Sequence, residues 1–216
     1  LHKFIGWNKV ILTDSGGFQG WSIPNRFNDD GIEFKNIYDG SKFFMDPKLS
    51  MDIQQTLNSD IAMILDSLID INKEYDEQLN AINTTQQWAN IARNYHTNNN
   101  QSLFGIVQGG KHKELREKSA TDMMTIDFDG YAIGGLAIGE TPEERKEIVN
   151  FTVEMLPKDK LRYVMGLGDI EGMLELIELG VDIFDCVWPA RLARHGKIIN
   201  KGKFLNLKNS KYKKDT

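Results

Sequence analysis

Short, nearly unbroken apolar runs alternate along this chain with longer stretches whose apolar positions recur at helical spacing. The runs are Val10-Ile11-Leu12-Thr13, Ile61-Ala62-Met63-Ile64-Leu65, Leu103-Phe104-Gly105-Ile106-Val107, Tyr131-Ala132-Ile133, Arg162-Tyr163-Val164-Met165 and Val181 to Val187. Runs without polar alternation mark strands buried on both faces, as in a parallel sheet clad by helices. Between them the pattern predicts helices from Asp46-Pro47 onward, from Glu74 to Tyr95, His112 to Thr125, Thr141 to Met155 and Ile170 to Leu179. Asp46 is a good N-cap ahead of a proline at the first helical position, and Leu49, Ile53 and Leu57 follow at helical spacing. Thr141-Pro142-Glu143-Glu144 adds an acid at the third position, the sign of a reciprocal cap. In the 74–95 helix, Leu79, Ile82, Trp88, Ile91 and Ala92 are expected inward. Residues 20–47 are rich in turn formers, with extended pieces at Ile32 to Phe34 and Lys42 to Met45, and read as a hairpin-like insertion.

Each run carries its unusual residues at its C-terminal end: Asp14, Asp66, Gln108, Gly134-Gly135, Met165-Gly166 and Asp185. Chemistry gathered at strand C-termini is the rule in TIM barrels and in open doubly wound sheets. An open nucleotide-binding sheet shows one glycine-rich phosphate loop. Polar groups spread over about six strand ends suit a barrel mouth better, so the predicted class is α/β with a barrel architecture. Asp185 is expected inside its apolar strand, Pro189 is expected to end that strand, and Arg191 and Arg194 follow.

Composition narrows the function classes. The 216 residues are 40% hydrophobic and 26% charged, ordinary for a soluble α/β domain, and the net charge of −5 argues against a generally basic nucleic-acid binder. The charge is uneven, however. Arg191, Arg194, Lys197, Lys201, Lys203, Lys208, Lys211, Lys213 and Lys214 crowd the last stretch, a local surface for phosphates or simply a solvated tail. The single cysteine, Cys186, excludes an internal disulfide, and the four histidines are scattered without ligand spacing. No apolar run could cross a bilayer and no signal peptide is present, so a cytoplasmic location is expected.

The acids suggest the chemistry. Two carboxylates facing a sugar C1′ serve as nucleophile and proton shuttle in retaining glycoside chemistry. A third, with Gln108 and backbone N–H groups at Gly134-Gly135, suits the donor and acceptor edge of a planar base such as guanine. Phe18 and Met165 fit either as stacking partners for that ring or as core residues, and Asp185 alone fits equally a buried capping acid.

Six motifs carry a resemblance: Thr13-Asp14-Ser15-Gly16-Gly17-Phe18-Gln19, Ser59 to Asp66, Leu103 to Gly110, Gly130 to Glu140, Arg162 to Gly166, and Phe184-Asp185-Cys186-Val187 through Arg194. In this order and spacing the chain resembles the tRNA-guanine transglycosylases, or queuine tRNA-ribosyltransferases. The resemblance implies a (β/α)₈ TIM barrel that replaces guanine at the anticodon wobble position with a 7-deazaguanine, preQ1 or queuine, in queuosine biosynthesis. It implies Asp185 as the nucleophile of a covalent aspartyl-ribosyl intermediate and Asp14 as general acid/base. Asp66, Gln108 and the Gly134-Gly135-Leu136 backbone would bind the base edge. Phe18 and Met165 would enclose the ring, with Ser15 and Gly166 in the same pocket and Glu140 behind the Leu136-Ala137 peptide. Arg191 and Arg194 would contact the anticodon loop of a tRNA with a GUN anticodon. A homodimer is also implied.

Against the family pattern the chain is expected to be an incomplete barrel, residues 1–216 holding about six of eight strands and starting just before the third. Residues 191–216 would lead to a zinc subdomain of the Cys-x-Cys-x-x-Cys…His type, none of whose ligands lies in this chain. A chain of this extent is expected to be poorly soluble and inactive alone. Ser67-Leu68-Ile69-Asp70 stands where bacterial members have Glu-Cys-Thr-Pro, whereas Leu136-Ala137-Ile138 looks bacterial and favours preQ1, and Ala190 replaces a usual threonine. The alternatives are a non-catalytic partner subunit and an unrelated TIM-barrel glycosidase.

Overall fold

The computed structural model describes residues 1–23, 25–36 and 38–213; Lys214, counted above in the basic stretch, lies outside them. Elements follow in the order α1 (His2–Ile5), β1 (Leu12–Thr13), α2 (Gly17–Ser22), β2 (Asn25–Asn28), β3 (Gly31–Lys35), β4 (Lys42–Met45), α3 (Pro47–Leu57), β5 (Ile61–Met63) and α4 (Tyr75–Tyr95). Then come β6 (Ser102–Val107), α5 (Lys113–Ile126), β7 (Gly130–Ile133), α6 (Pro142–Met155), β8 (Leu161–Val164), α7 (Ile170–Glu178), β9 (Ile183–Phe184) and α8 (Trp188–Arg194). The antiparallel pair β10 (Lys197–Asn200) and β11 (Lys203–Asn206) and a 3₁₀ turn at Ser210–Tyr212 close the described chain.

Six strands form one curled parallel sheet in the order β1-β5-β6-β7-β8-β9. The order never reverses. A doubly wound sheet has a switch point where it does, so consecutive parallel neighbours joined by helices define barrel-type winding, here an incomplete (β/α) barrel. One continuous core joins strand residues such as Met63, Phe104, Ile106, Tyr131 and Val164 to Ala89, Ala92, Ala120, Met123, Val149 and Leu176 of the helices. Separately, β2, β3 and β4 make a three-stranded antiparallel sheet over 25–45, tied down where Trp88 Nε1 donates to the Asp29 carbonyl at 2.7 Å.

The strong helix starts are where the caps placed them. Asp46 accepts from the Leu49 N–H at 2.7 Å, and Thr141 and Glu144 cap each other reciprocally. The buried side of α3 is different from its Leu49, Ile53, Leu57 row: Pro47, Ser50, Met51 and Gln54 are inside, and Ile53 and Leu57 are exposed. Gln54 explains this. Its side-chain amide accepts from Met63 N at 2.9 Å and donates to Met63 O at 2.8 Å, serving β5 where β1 has already stopped pairing. Ile91 is likewise exposed on α4, whose inner face is Gln78, Ala81, Ile82, Thr85, Trp88, Ala89 and Ala92.

The two edge strands are shorter than their apolar runs. Val10 is exposed and Ile11 gives its N–H to Asp60 Oδ2 at 2.7 Å, leaving only Leu12 and Thr13 in β1. Asp185 lies just beyond β9, not inside it, because its carboxylate takes the Gly166 N–H at the point where the ladder would continue. Pro189 does not end a strand; it sits in the first turn of α8, where a missing N–H costs nothing.

At the N-terminal end of the sheet, three aspartates each accept a backbone N–H from the start of a neighbouring strand or the residue just before it. Asp60 takes that of Ile11, Asp129 Oδ2 that of Leu103 at 2.8 Å, and Asp182 Oδ2 that of Arg162 at 2.9 Å.

Candidate active site

The opposite, C-terminal end of the sheet holds the expected acids. Strand β1 ends at Asp14, β5 leads through buried Ile64 and Leu65 to Asp66, and β9 ends at Asp185. Their environments differ. Asp185 is exposed, and its Oδ1 accepts two short hydrogen bonds, from Tyr163 Oη and Gly166 N, both at 2.6 Å. Its Oδ2 takes no partner among the described residues. One oxygen is therefore held by two donors and the other is open.

Asp14 accepts from the Ser15 N–H at 2.8 Å, which favours its charged form, yet burial of the carboxyl outweighs this and pushes its pKa up, with the Asp185 charge adding to the rise. Asp66 is buried, and desolvation raises it to about 7, helped by the Asp14 charge and opposed by a hydrogen bond from Gln108 Nε2 at 2.5 Å. Through Asp14 the three acids form one electrostatic group. Tyr163 is pushed up, first by burial and then by its bond to Asp185, so its hydroxyl stays a donor throughout the ordinary pH range.

The base-reading candidates converge on Gln108, which is buried at the end of β6. Its amide lies so close over Gly134 and Gly135 that a β-carbon on either would stand 2.6 Å from Nε2 or 2.7 Å from Oε1 respectively. Gly135 also has φ +69°, which glycine accepts without strain. Gly17 lies closer still to the Asp66 carboxylate, so at these three glycines the backbone packs against the acid or the amide with no room for a side chain of its own. The expected N–H pair narrows to one here: Gly134 N donates to Val107 O at 3.0 Å and is used up, leaving Gly135.

Beyond it, Leu136 is buried, and Glu140 holds the turn by accepting from Ala137 N at 2.6 Å and Ile138 N at 3.2 Å, with Ala137 at φ +60°. Ser15 is buried, its hydroxyl accepting from Gly17 N at 3.4 Å and its carbonyl from Ser50 Oγ at 3.2 Å, so it shapes the turn carrying Asp14. Phe18 stands exposed in the first turn of α2, above β1, while Met165, half-buried, follows β8 at the other side of the sheet. Arg191 and Arg194 are exposed in α8, next to the hairpin bearing Lys197, Lys201 and Lys203.

Two residues at this site escaped the sequence reading. Tyr163 reaches Asp185 only because β8 pairs with β9, and nothing in the local sequence announces it. Arg116 is wholly buried in α5, on the stripe shared by Ser119, Ala120 and Met123; a cation within an apolar helical row was the available signal.

Strand ends that present coupled carboxylates at a barrel-type mouth define a β/α enzyme-class site for acid, base and nucleophile chemistry. The family described as Queuine tRNA-ribosyltransferase matches residues 1–216, and the chain belongs to that family. It is 48% identical over 211 residues to the queuine tRNA-ribosyltransferase of Thermotoga petrophila, covering 97% of this chain. It is 44% identical to that of Bacillus subtilis over 218 residues and 43% identical to that of Acinetobacter baylyi over 220, in both cases covering 100% of this chain. In each case the match covers 57% of the relative's own length.

Proposed function

We propose that this site exchanges the base of a tRNA nucleotide, the wobble guanine of a GUN anticodon, for a 7-deazaguanine. One observation supports the reading most: Asp185 has one oxygen pinned and one open, beside an Asp14 whose proton affinity is raised. The open Oδ2 attacks C1′ of the ribose, and the C1′–N9 electron pair leaves with guanine, which takes the proton of Asp14. The incoming base returns a proton from its N9 to Asp14. Its N9 then forms the new bond to C1′, and Asp185 departs as a carboxylate. The glycosyl bond can be reached only once the nucleotide has left its stack.

The adjacent N1–H and 2-amino donors of guanine suit the two oxygens of an ionised Asp66, and its acceptors suit the Gly135 N–H and the Gln108 amide. Phe18 and Met165 would close on the ring faces. Arg191, Arg194 and the lysines of the β10–β11 hairpin would hold the anticodon phosphates. A homodimer in the cytoplasm, where tRNA is found, fits this reading, and no helix among the described residues is long and apolar enough to cross a membrane. Of the two deazaguanines, preQ1 is favoured by Leu136-Ala137-Ile138. The zinc expected of the family finds no ligand cluster among the described residues, and no step above uses it.

Incubating the full-length gene product with tRNA and labelled guanine, then denaturing it, tests the scheme. The parent should incorporate label and leave an RNA-linked protein band, and Asp185→Asn should lose both. Exchange that survives in Asp185→Asn removes Asp185 from this role; tRNA binding without exchange by the parent supports the non-catalytic partner subunit.

A further inference from the structure

Arg116 is a buried cation with no carboxylate within ion-pair distance among the described residues. Burying a charge in this way costs several kcal/mol unless the group is fully hydrogen-bonded, and a methionine of similar reach would fill the space at far less cost. Burial depresses the guanidinium to about 10, with the Glu140 charge partly restoring it, and the group remains charged at neutral pH.

What it does instead of pairing is hold carbonyls. Nε donates to Gly110 O at 3.0 Å, and Nη1 donates to Val107 O at 3.2 Å and to Gly134 O at 2.9 Å. These carbonyls belong to the ends of β6 and β7, the two strands that carry Gln108 and Gly135. Helix α5 grips the Val107–Gln108 peptide from its other side as well, because Gln108 N donates to Ser119 Oγ at 3.0 Å. The approach is close: a β-carbon on Gly109 would stand 2.7 Å from Arg116 N. In a trans peptide the C=O and N–H point in opposite directions. Fixing Gly134 O on the guanidinium therefore turns the Gly135 N–H away from it. Nη2 has no partner and lies beside Gly135, 3.5 Å from where a β-carbon would be.

We propose that Arg116 is a positioning residue for base recognition, locking the ends of β6 and β7 so that the Gln108 amide and the Gly135 N–H keep the spacing that reads the exchanged base. The inference rests on the transglycosylase reading and deepens it. It makes one buried residue a determinant of the affinity for the free base, acting through Gln108 and Gly135, apart from the affinity for tRNA, which in that reading the exposed arginines and lysines supply.

The test is steady-state guanine exchange by the full-length gene product and its Arg116→Met, Arg116→Lys and Ser119→Ala variants, with thermal melting alongside. Arg116→Met should raise KM for guanine by about 10- to 100-fold while KM for tRNA changes by less than about threefold. Arg116→Lys keeps the charge but not the fork, and should fall between Met and the parent. A merely structural Arg116 would lower the melting temperature and the active fraction, reducing kcat and leaving both KM values in place; that result overturns the proposal, as does an equal rise in both KM values. If neither Arg116 variant folds, Ser119→Ala decides. It removes only the neutral half of the grip, so a guanine KM raised by roughly 3- to 10-fold supports the proposal and an unchanged one overturns it. A parent that exchanges no guanine fails before any substitution is made, and so marks the failure of the transglycosylase reading itself.

Discussion

Asp60 and Asp66 stand at opposite ends of the same strand, and their carboxyls are driven in opposite directions. At the N-terminal end, Asp60 accepts the Ile11 N–H, and that bond holds its pKa below the usual value. At the C-terminal end, burial lifts Asp66 to about 7. Strand β9 repeats the arrangement, with Asp182 taking the Arg162 N–H below and Asp185 held by Tyr163 above with one oxygen open. Below, each acid gives one oxygen to a neighbour's backbone N–H. Above, the acids are crowded against each other and keep unspent capacity. Residue type is the same at both ends; what differs is that the upper acids Asp14 and Asp66 are desolvated and feel one another's charge, while the lower ones each brace a backbone N–H.

The sharpest break between the two ends is on β9. Asp185→Asn should lower exchange by at least about 10⁴-fold with the melting temperature scarcely moved. Asp182→Ala should do the reverse, leaving the Arg162 N–H unpaired and costing about 1–3 kcal/mol in denaturant titration while kcat stays near the parent's. Comparable losses of activity in both variants would erase the distinction. Next in size, Asp14→Asn removes the proposed proton shuttle and should cost about 10²- to 10⁴-fold in kcat, with tRNA still bound in a filter assay.

Asp66 offers a test through pH. Its folded pKa lies above its unfolded value, so the folded chain binds the extra proton between them. The stabilisation is fully present below about 4 and is lost as pH rises through about 7. Asp66→Asn should therefore flatten the stability profile over that window, by on the order of 1–4 kcal/mol at pH 8, and weaken guanine binding. The parent's affinity for guanine should rise between pH 6 and 8, since the base selects the ionised acid. Smallest of all, Asp60→Ala should cost about 1 kcal/mol. Its sign is opposite: the depressed carboxyl stabilises above its unfolded pKa and loses that contribution as pH falls through the folded one.

Much of this was legible in the chain. The caps at Asp46 and Thr141 are local chemistry and located their helices well, and four of the six apolar runs lie in well-formed strands. Asp14, Asp66, Gln108, Gly135 and Asp185 do gather at one end of the sheet. The misplacements share a cause, the satisfaction of backbone groups across long sequence distances. Ile53 and Leu57 look inward on a helical wheel, but Gln54 was needed inside to bond Met63. The last apolar run continues past Asp185 in sequence, but its carboxylate ends the ladder by taking the Gly166 N–H. Arg116 and Tyr163 act on residues reached only through helix and strand packing, and pattern alone carries no such distances.

Gln54 has one more consequence, for exchange of amide protons with solvent. Met63 ends β5, an inner strand of the parallel sheet, yet its amide proton is held by a side chain of α3 rather than by a neighbouring strand. Its deuterium uptake should accordingly follow the undocking of α3, while the amides of β6 and β7 report the slower opening of the sheet. In that sense a single glutamine makes the residue three places before Asp66 a gauge of how firmly the helix behind the pocket is seated.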